Sequence, residues 1–315
     1  MFLIGVPPLI VLLVAGPILL PEFRNVRAGR VDLLSVALST GAIVTVVYAI
    51  KETAKSGPHL GSLGIALVGV VLGWVFARRQ LVLADPLIDL RLFRRATFSA
   101  SLGAQMFGLF VLAAMQFLTV QYFQLVLGMS PLEAGLWMLP MMVTGIIGTL
   151  GAPWVVRHLR SGTAMTLGFA AAVPGLALMA IAGRLPVVIG LAIVSLGIQV
   201  VLALTYDVVV SSAPPERAGV ASGMGETGTE LGIALGIAIG GSIVTAVYRA
   251  GVPESAGDTL GGAVAAAEQL PGPVAQELLS VARDAYTNGV QLAVVVSAAI
   301  VVLLGVATAT LVRTD

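Results

Sequence analysis

The chain has 315 residues, of which 58% are hydrophobic and only 10% charged, with a mean hydropathy of +1.02. An ordinary soluble domain carries about 25% charged residues, so this composition excludes a water-soluble fold and specifies a polytopic membrane protein. The absence of cysteine excludes disulfides and thiolate metal sites, and a net charge of +1 gives no basis for a nucleic-acid partner.

Crossing a bilayer as a helix takes roughly 20 apolar residues. Nine runs have that length, at about 2–20, 33–50, 61–77, 97–125, 132–154, 163–182, 186–209, 216–247 and 288–312. No alternating strand pattern of the barrel type occurs, so the expected fold is all-α. The first run lacks a basic leading region and an A-x-A cleavage site, and reads as an uncleaved span. Between the third and fourth spans, residues 78–96 (RRQLVLADPLIDLRLFRRA) mix apolar and basic residues in the manner of a helix lying at the interface. In the segment 249–287, the runs AVAAAEQL and VAQELLSVARDAY predict two short amphipathic helices around Pro271 and Pro273.

Charge sorts the connections into two sets. Arg24, Arg27, Arg30, Arg78, Arg79, Arg91, Arg94, Arg95, Arg157, Arg160, Arg217 and Arg313 fall on one side, and Lys51, Lys55, Arg184, Arg249 and Arg283 on the other. The richer set belongs in the cytoplasm, which puts the N-terminus outside and the C-terminus inside. Tryptophans and tyrosines cluster near span ends, where amphipathic rings settle at the membrane surface.

Within this apolar background, Glu226 and Glu230 stand out. A charged group at the bilayer centre costs roughly 2.5 kcal/mol or more, so acids there face a protein interior or a water-filled path. Four residues apart, they share one helix face. Gly228, Gly232, Gly236 and Gly240 repeat at the same interval. Two residues on a helix turn about 200°, so the glycine row lies behind the acids, where it lets a neighbouring helix come close. Asp207 is the other acid well within a span. Carboxylates held out of water can take up and release protons near neutral pH, or pair with a lipophilic cation. The alternative for Glu226 is stabilisation of a helix N-terminus that starts near Pro214 and Pro215, with Ser212 as its cap.

The span at 97–125 carries Gln105 and Gln116, eleven residues or three helical turns apart and therefore on one face. With Met106, Met115, Phe107, Phe110 and Phe117 it offers an amide, thioether and aromatic wall suited to varied apolar substrates. The alternative is plain helix packing. His59 and His158 lie in loops on opposite sides and cannot form one catalytic or metal constellation. No H-E-x-x-H, Walker A or G-x-S-x-G pattern occurs, so neither an enzyme nor a cofactor or metal site is expected.

Three stretches in order, PLIDLRLFRRATFS, QYFQLVLGMSPLEAGLWMLP and APPERAGVASGMGETGTELGIALGIAIGGSI, resemble the fourteen-span drug:proton antiporters of the major facilitator superfamily. The opening FLIGVPPLIVLLVAGPILLPE is similar to that family's sixth span. The resemblance implies four regions. Residues 1–21 correspond to the last helix of the first half, 22–77 to a cytoplasmic loop and two extra linker spans, 78–96 to the connector, and 97–315 to the C-terminal six-helix half. It implies a partner for this chain, because the family's first five spans have no counterpart here and the substrate cavity lies between two halves. The segment GAPWVVRHLR keeps Gly151, Arg157 and Arg160 of a cytoplasmic motif but has Val155 where an aspartate is expected.

By the same resemblance the span with Gln105 and Gln116 lines the cavity, and acids near Asp207 and near Glu226 and Glu230 couple protons or bind cations. The function so implied is part of a proton-coupled multidrug exporter in the plasma membrane, with the bilayer, protons and lipophilic or cationic molecules as its partners. Export of a lipid-like metabolite or a self-made antibiotic is the near alternative. A membrane scaffold without transport is the distant one.

Overall fold

The computed structural model describes residues 6–7, 9–10, 13, 15, 32–57, 59–83, 86–90, 92–211, 218–253 and 257–312. Met1–Leu33 and Leu34–Asp315 form separate compact units. Of the first expected span, residues 6, 7, 9, 10, 13 and 15 are helical and the rest lies outside the described residues, as do Arg24, Arg27, Arg30, Ser212, Pro214, Pro215, Arg217 and Arg313.

The second unit begins with a helical hairpin. Helix α1 (Leu33–Ser56) turns at Gly57, which has φ of 75°, a conformation that glycine adopts without penalty. Helix α2 (Leu60–Val82) starts on a capping box in which the Ser62 hydroxyl accepts from the His59 N–H at 3.2 Å. His59 is thus exposed in the loop between the two helices, as expected, and serves as the N-cap of α2. The two helices meet at Gly69, where a Cβ would stand 2.7 Å from Val46 Cγ2 and 3.3 Å from the Ala42 carbonyl oxygen. At the other end of the hairpin, buried Gln80 donates to Ser35 Oγ at 2.8 Å and accepts from the Ile88 N–H at 3.2 Å.

The connector departs from expectation. Helix α2 carries Arg78 and Arg79 as far as Val82, and beyond it the described residues hold only a short 3₁₀ turn at Leu92–Arg94. Pro86 has no N–H for a helical ladder. The segment instead buries Leu92 with Phe98, Val209 and Met224, while Leu87 and Phe93 stay exposed, so of its apolar residues Leu92 serves the core.

Six spans make the main bundle. Helix α3 (Ala96–Gln121) widens into a π-helical turn at Tyr122–Val126. Helices α4 (Pro131–Trp137) and α5 (Leu139–His158) form one span broken at Met138. Pro140 cannot donate to the Leu136 carbonyl, which explains the break. The Ser130 hydroxyl caps α4, accepting from the Glu133 N–H while the Glu133 carboxylate accepts from the Ser130 N–H at 2.8 Å. Helices α6 (Ser161–Met179), α7 (Arg184–Ser211), α8 (Ala218–Gly251), short α9 (Leu260–Ala267) and α10 (Gly272–Leu311) complete it. His158 ends α5, with its ring 4.7 Å from that of Trp154.

Helix α10 corrects a second expectation. The amphipathic run after Pro273 is not a separate short helix but the first part of one 40-residue helix. No glycine–proline stop lies between Pro273 and the apolar span, so the ladder continues. At about 1.5 Å per residue it reaches ~60 Å, roughly twice the hydrocarbon thickness of a bilayer.

Small residues bring the helices together. A Cβ at Gly168 would lie 2.7 Å from the Gly197 carbonyl oxygen, and one at Gly175 2.7 Å from that of Gly190, so α6 and α7 touch backbone to backbone. Span hydroxyls bond across helices where water is absent. Thr144 donates to the Ala192 carbonyl at 2.8 Å, Ser195 to that of Met141 at 3.0 Å, and Thr166 and Thr308 lie 3.2 Å apart. Phe169, Met165, Leu176, Val194, Ile198 and Val301 fill the centre, while Leu150, Trp154 and Leu303 point outward as lipid-facing residues do.

Candidate functional site

Helix α8 divides into two faces. Along one, Gly228, Gly232, Gly236 and Gly240 meet Leu102, Met106, Phe110 and Ala114 of α3, so a four-residue ladder on each helix advances in the same direction. At Gly232 and Gly236 the neighbours are the carbonyls of Met106 and Phe110, which leaves no room for a side chain. The opposite face carries Ser222, Glu226 and Glu230 one turn apart, and both glutamates are exposed. Asp207, on α7, is also exposed, and the adjacent Tyr206 hydroxyl lies 3.2 Å from Ser222 Oγ, joining α7 to the foot of the acidic row.

Gln105 sits between α3 and α8, 5% exposed. Its Nε2 donates to Thr229 Oγ1 at 2.9 Å and to the Gly225 carbonyl at 3.3 Å. Those two residues immediately precede Glu230 and Glu226, so one buried amide holds the helix turn from which both acids project. The Gln105 Oε1 and the Ser101 hydroxyl one turn below are buried without a hydrogen-bond partner among the described residues. Gln116 is half-buried. The structure thus puts Gln105 in a helix contact, and it does not bring Gln116 to the same place.

Sequence reasoning missed Thr229, Gly225 and a cavity. The acidic row continues along α8 as Ala234, Ala238, Gly241 and Thr245 into a cavity of about 870 Å³, whose amide is Gln121 of α3 and whose far wall includes Val47 and Lys51 of α1. The signal available for Thr229 was its place immediately before Glu230. For the cavity there was none, because its walls come from α1, α3 and its π turn, α8, the start of α9 and α10. Among the described residues no three metal-binding side chains cluster.

Eight described helices are long and apolar enough to cross a membrane. They define an all-α, multi-pass plasma-membrane protein. The chain matches no family model. It is 35% identical over 314 residues to the multidrug efflux pump LfrA of Mycolicibacterium smegmatis, covering 95% of this chain and 62% of that protein. It is 31% identical to the tetracenomycin C resistance and export protein of Streptomyces glaucescens, covering 95% and 60%. To the methyl viologen resistance protein SmvA of Salmonella typhimurium it is 30% identical, covering 90% and 61%. By these relatives the chain is a homologue of the multidrug efflux pumps and antibiotic exporters of the major facilitator superfamily's drug:proton antiporter type. It spans about three fifths of the length of these relatives.

Proposed function

We propose that this chain is the carboxylate-bearing portion of a proton-coupled multidrug exporter. The observation that carries the reading is the two-faced helix α8, which packs its glycines on α3 and leaves Glu226 and Glu230 exposed within an apolar span. Lipid does not tolerate such a face, so a further protein surface covers it and encloses a water-filled path. A first transporter half fits that need, whether it is carried on the same polypeptide or on another.

In that path Glu230, near mid-span, and Glu226, one turn nearer the basic end, exchange a proton for a lipophilic cation. The deprotonated pair attracts the cation from the cytoplasm, and protonation from outside releases it. Asp207, beside the tyrosine that links α7 to α8, supplies an acid nearer the same mouth. The excess of arginine in the loops at that end supports a cytoplasmic mouth, with the N-terminus outside and the C-terminus inside. Names of relatives support the substrate class, since SmvA is a methyl viologen resistance protein. Export of a self-made antibiotic is the second reading, favoured by the tetracenomycin C relative.

The test is drug efflux under an imposed pH gradient, from cells expressing the chain together with a family-type first half. Export must require both parts and must fail with Glu230→Gln at matched expression. Robust efflux by the isolated chain would refute the need for a covering half.

A further inference from the structure

The cavity at the outer end of α8 has a chemistry opposite to that of the acids. Its walls are largely apolar, from Val47 of α1, Phe117 and Leu125 of the α3 segment and Ile237 of α8. Gln121, Ser242 and Thr245 add neutral polar groups, and the remaining polar groups fall into two sets. Asp258 is committed to Arg249 at 3.3 Å, the Tyr286 hydroxyl donates to the Leu118 carbonyl at 3.4 Å, and Thr259 Oγ1 accepts from the Gly262 N–H at 3.2 Å. Lys51 lines the same space and has no ion-pair partner among the described residues. Tyr248 also lines it, is 1% exposed, and keeps its hydroxyl buried without a hydrogen-bond partner.

An orphaned buried hydroxyl and an unpaired ammonium on an apolar cavity are two donors waiting for an acceptor that brings hydrocarbon with it. The one carboxylate in the lining is already neutralised, so the net charge offered to a guest is positive. A volume of about 870 Å³ falls in the range that holds a drug-sized molecule or the headgroup and upper chain of a lipid.

We propose that this cavity binds an amphiphilic anion, with the Lys51 ammonium and the Tyr248 hydroxyl on the anionic head and the apolar walls around its chain. An anionic phospholipid and a free fatty-acid-like anion share that chemistry. Because Lys51 belongs to α1, the linker hairpin has a ligand-binding role in addition to its span. The proposal does not depend on the export reading, since it is tested by binding alone.

The full chain, purified in a neutral maltoside detergent, is titrated with dioleoylphosphatidylglycerol, dioleoylphosphatidylcholine and oleate, and bound ligand is counted by native mass spectrometry. One equivalent of phosphatidylglycerol, of oleate, or of both is retained, and phosphatidylcholine is not. Retention of phosphatidylglycerol alone assigns the site to lipid headgroups, and retention of oleate alone assigns it to free amphiphiles. Lys51→Gln weakens anion binding about tenfold and Tyr248→Phe about fivefold, the worth of a charged and of a neutral hydrogen bond, while Lys51→Arg retains it. Ala54→Trp, which fills the cavity with the charge intact, abolishes binding. Equal retention of phosphatidylcholine, no retention of either anion, or unchanged anion binding in Ala54→Trp or in Lys51→Gln overturns the proposal.

Discussion

Replacing Gly236 by alanine adds one methyl to α8 where α3 leaves no space for it. Its Cβ would fall on the Phe110 carbonyl oxygen and lie 2.9 Å from both Phe110 C and Cα. These are backbone atoms of a packed helix and cannot rotate aside. Carbon atoms in contact prefer about 3.5 Å, so the two helices must separate by at least roughly 0.6 Å, and by more to clear the carbonyl oxygen. Such a shift lengthens the 2.9 Å bond from Gln105 to Thr229 toward the limit of useful hydrogen bonding. Overpacking costs about 1–3 kcal/mol, and an interhelical hydrogen bond in a membrane is worth about 0.6 kcal/mol. Against this, alanine gains about 1 kcal/mol of helix propensity over glycine. Gly223→Ala is the control, because it shares that propensity gain on the same helix and has nothing within 4 Å of the new methyl. Relative to this control, Gly236→Ala should lose about 2 kcal/mol, or about 3 °C of Tm for a chain of 315 residues. The assay is heat-induced loss of the monodisperse peak in size-exclusion chromatography of detergent-purified protein. Equal melting of the two variants would show that the glycine row is not the tight face of α8.

Further outcomes follow from the same geometry. Gln105→Leu removes the buried amide that holds the Gly225–Thr229 turn, and should lower the Tm while shifting the pH profile of export, whereas Gln116→Leu should leave that profile in place. Thr229→Ser, which keeps the hydroxyl, should preserve the Gln105→Leu contrast with the parent, and Thr229→Val should mimic Gln105→Leu. For topology, the cysteine-free chain permits a clean labelling test: Ser280→Cys should react with an impermeant thiol reagent added outside intact cells, and Ser211→Cys only after the membrane is opened. The reverse pattern would invert the orientation drawn from the basic loops.

Much of the architecture was legible because the bilayer imposes a single length scale and a helix a single period. The four-residue repeat of Gly228, Gly232, Gly236 and Gly240 separated a tight face from the face of Glu226 and Glu230 before any neighbour was known. Which helix supplied that neighbour was not legible, since Leu102, Met106, Phe110 and Ala114 carry no complementary signature beyond their own spacing. Apolar content misled for the connector, where Leu92 reads equally well as a membrane-surface residue or a core residue until Phe98, Val209 and Met224 are seen around it. Local punctuation misled at Pro271 and Pro273, which start α10 and do not separate two short helices. The π turn at Tyr122–Val126 and the cavity beside it arise from tertiary contacts, including the Tyr286 hydroxyl on the Leu118 carbonyl, that no single-segment pattern encodes.

The central claim is that the acidic face of α8 couples protons to export within a two-part transporter. It is tested most directly in proteoliposomes holding this chain joined to a family-type first half, by recording uptake of a cationic dye on imposing an inward or outward pH gradient. The account predicts gradient-driven dye movement that Glu230→Gln abolishes and Glu226→Gln weakens, with folding unchanged by size-exclusion chromatography. Dye movement at the parental rate in Glu226→Gln, Glu230→Gln and the double variant would contradict it and leave these carboxylates with a structural role.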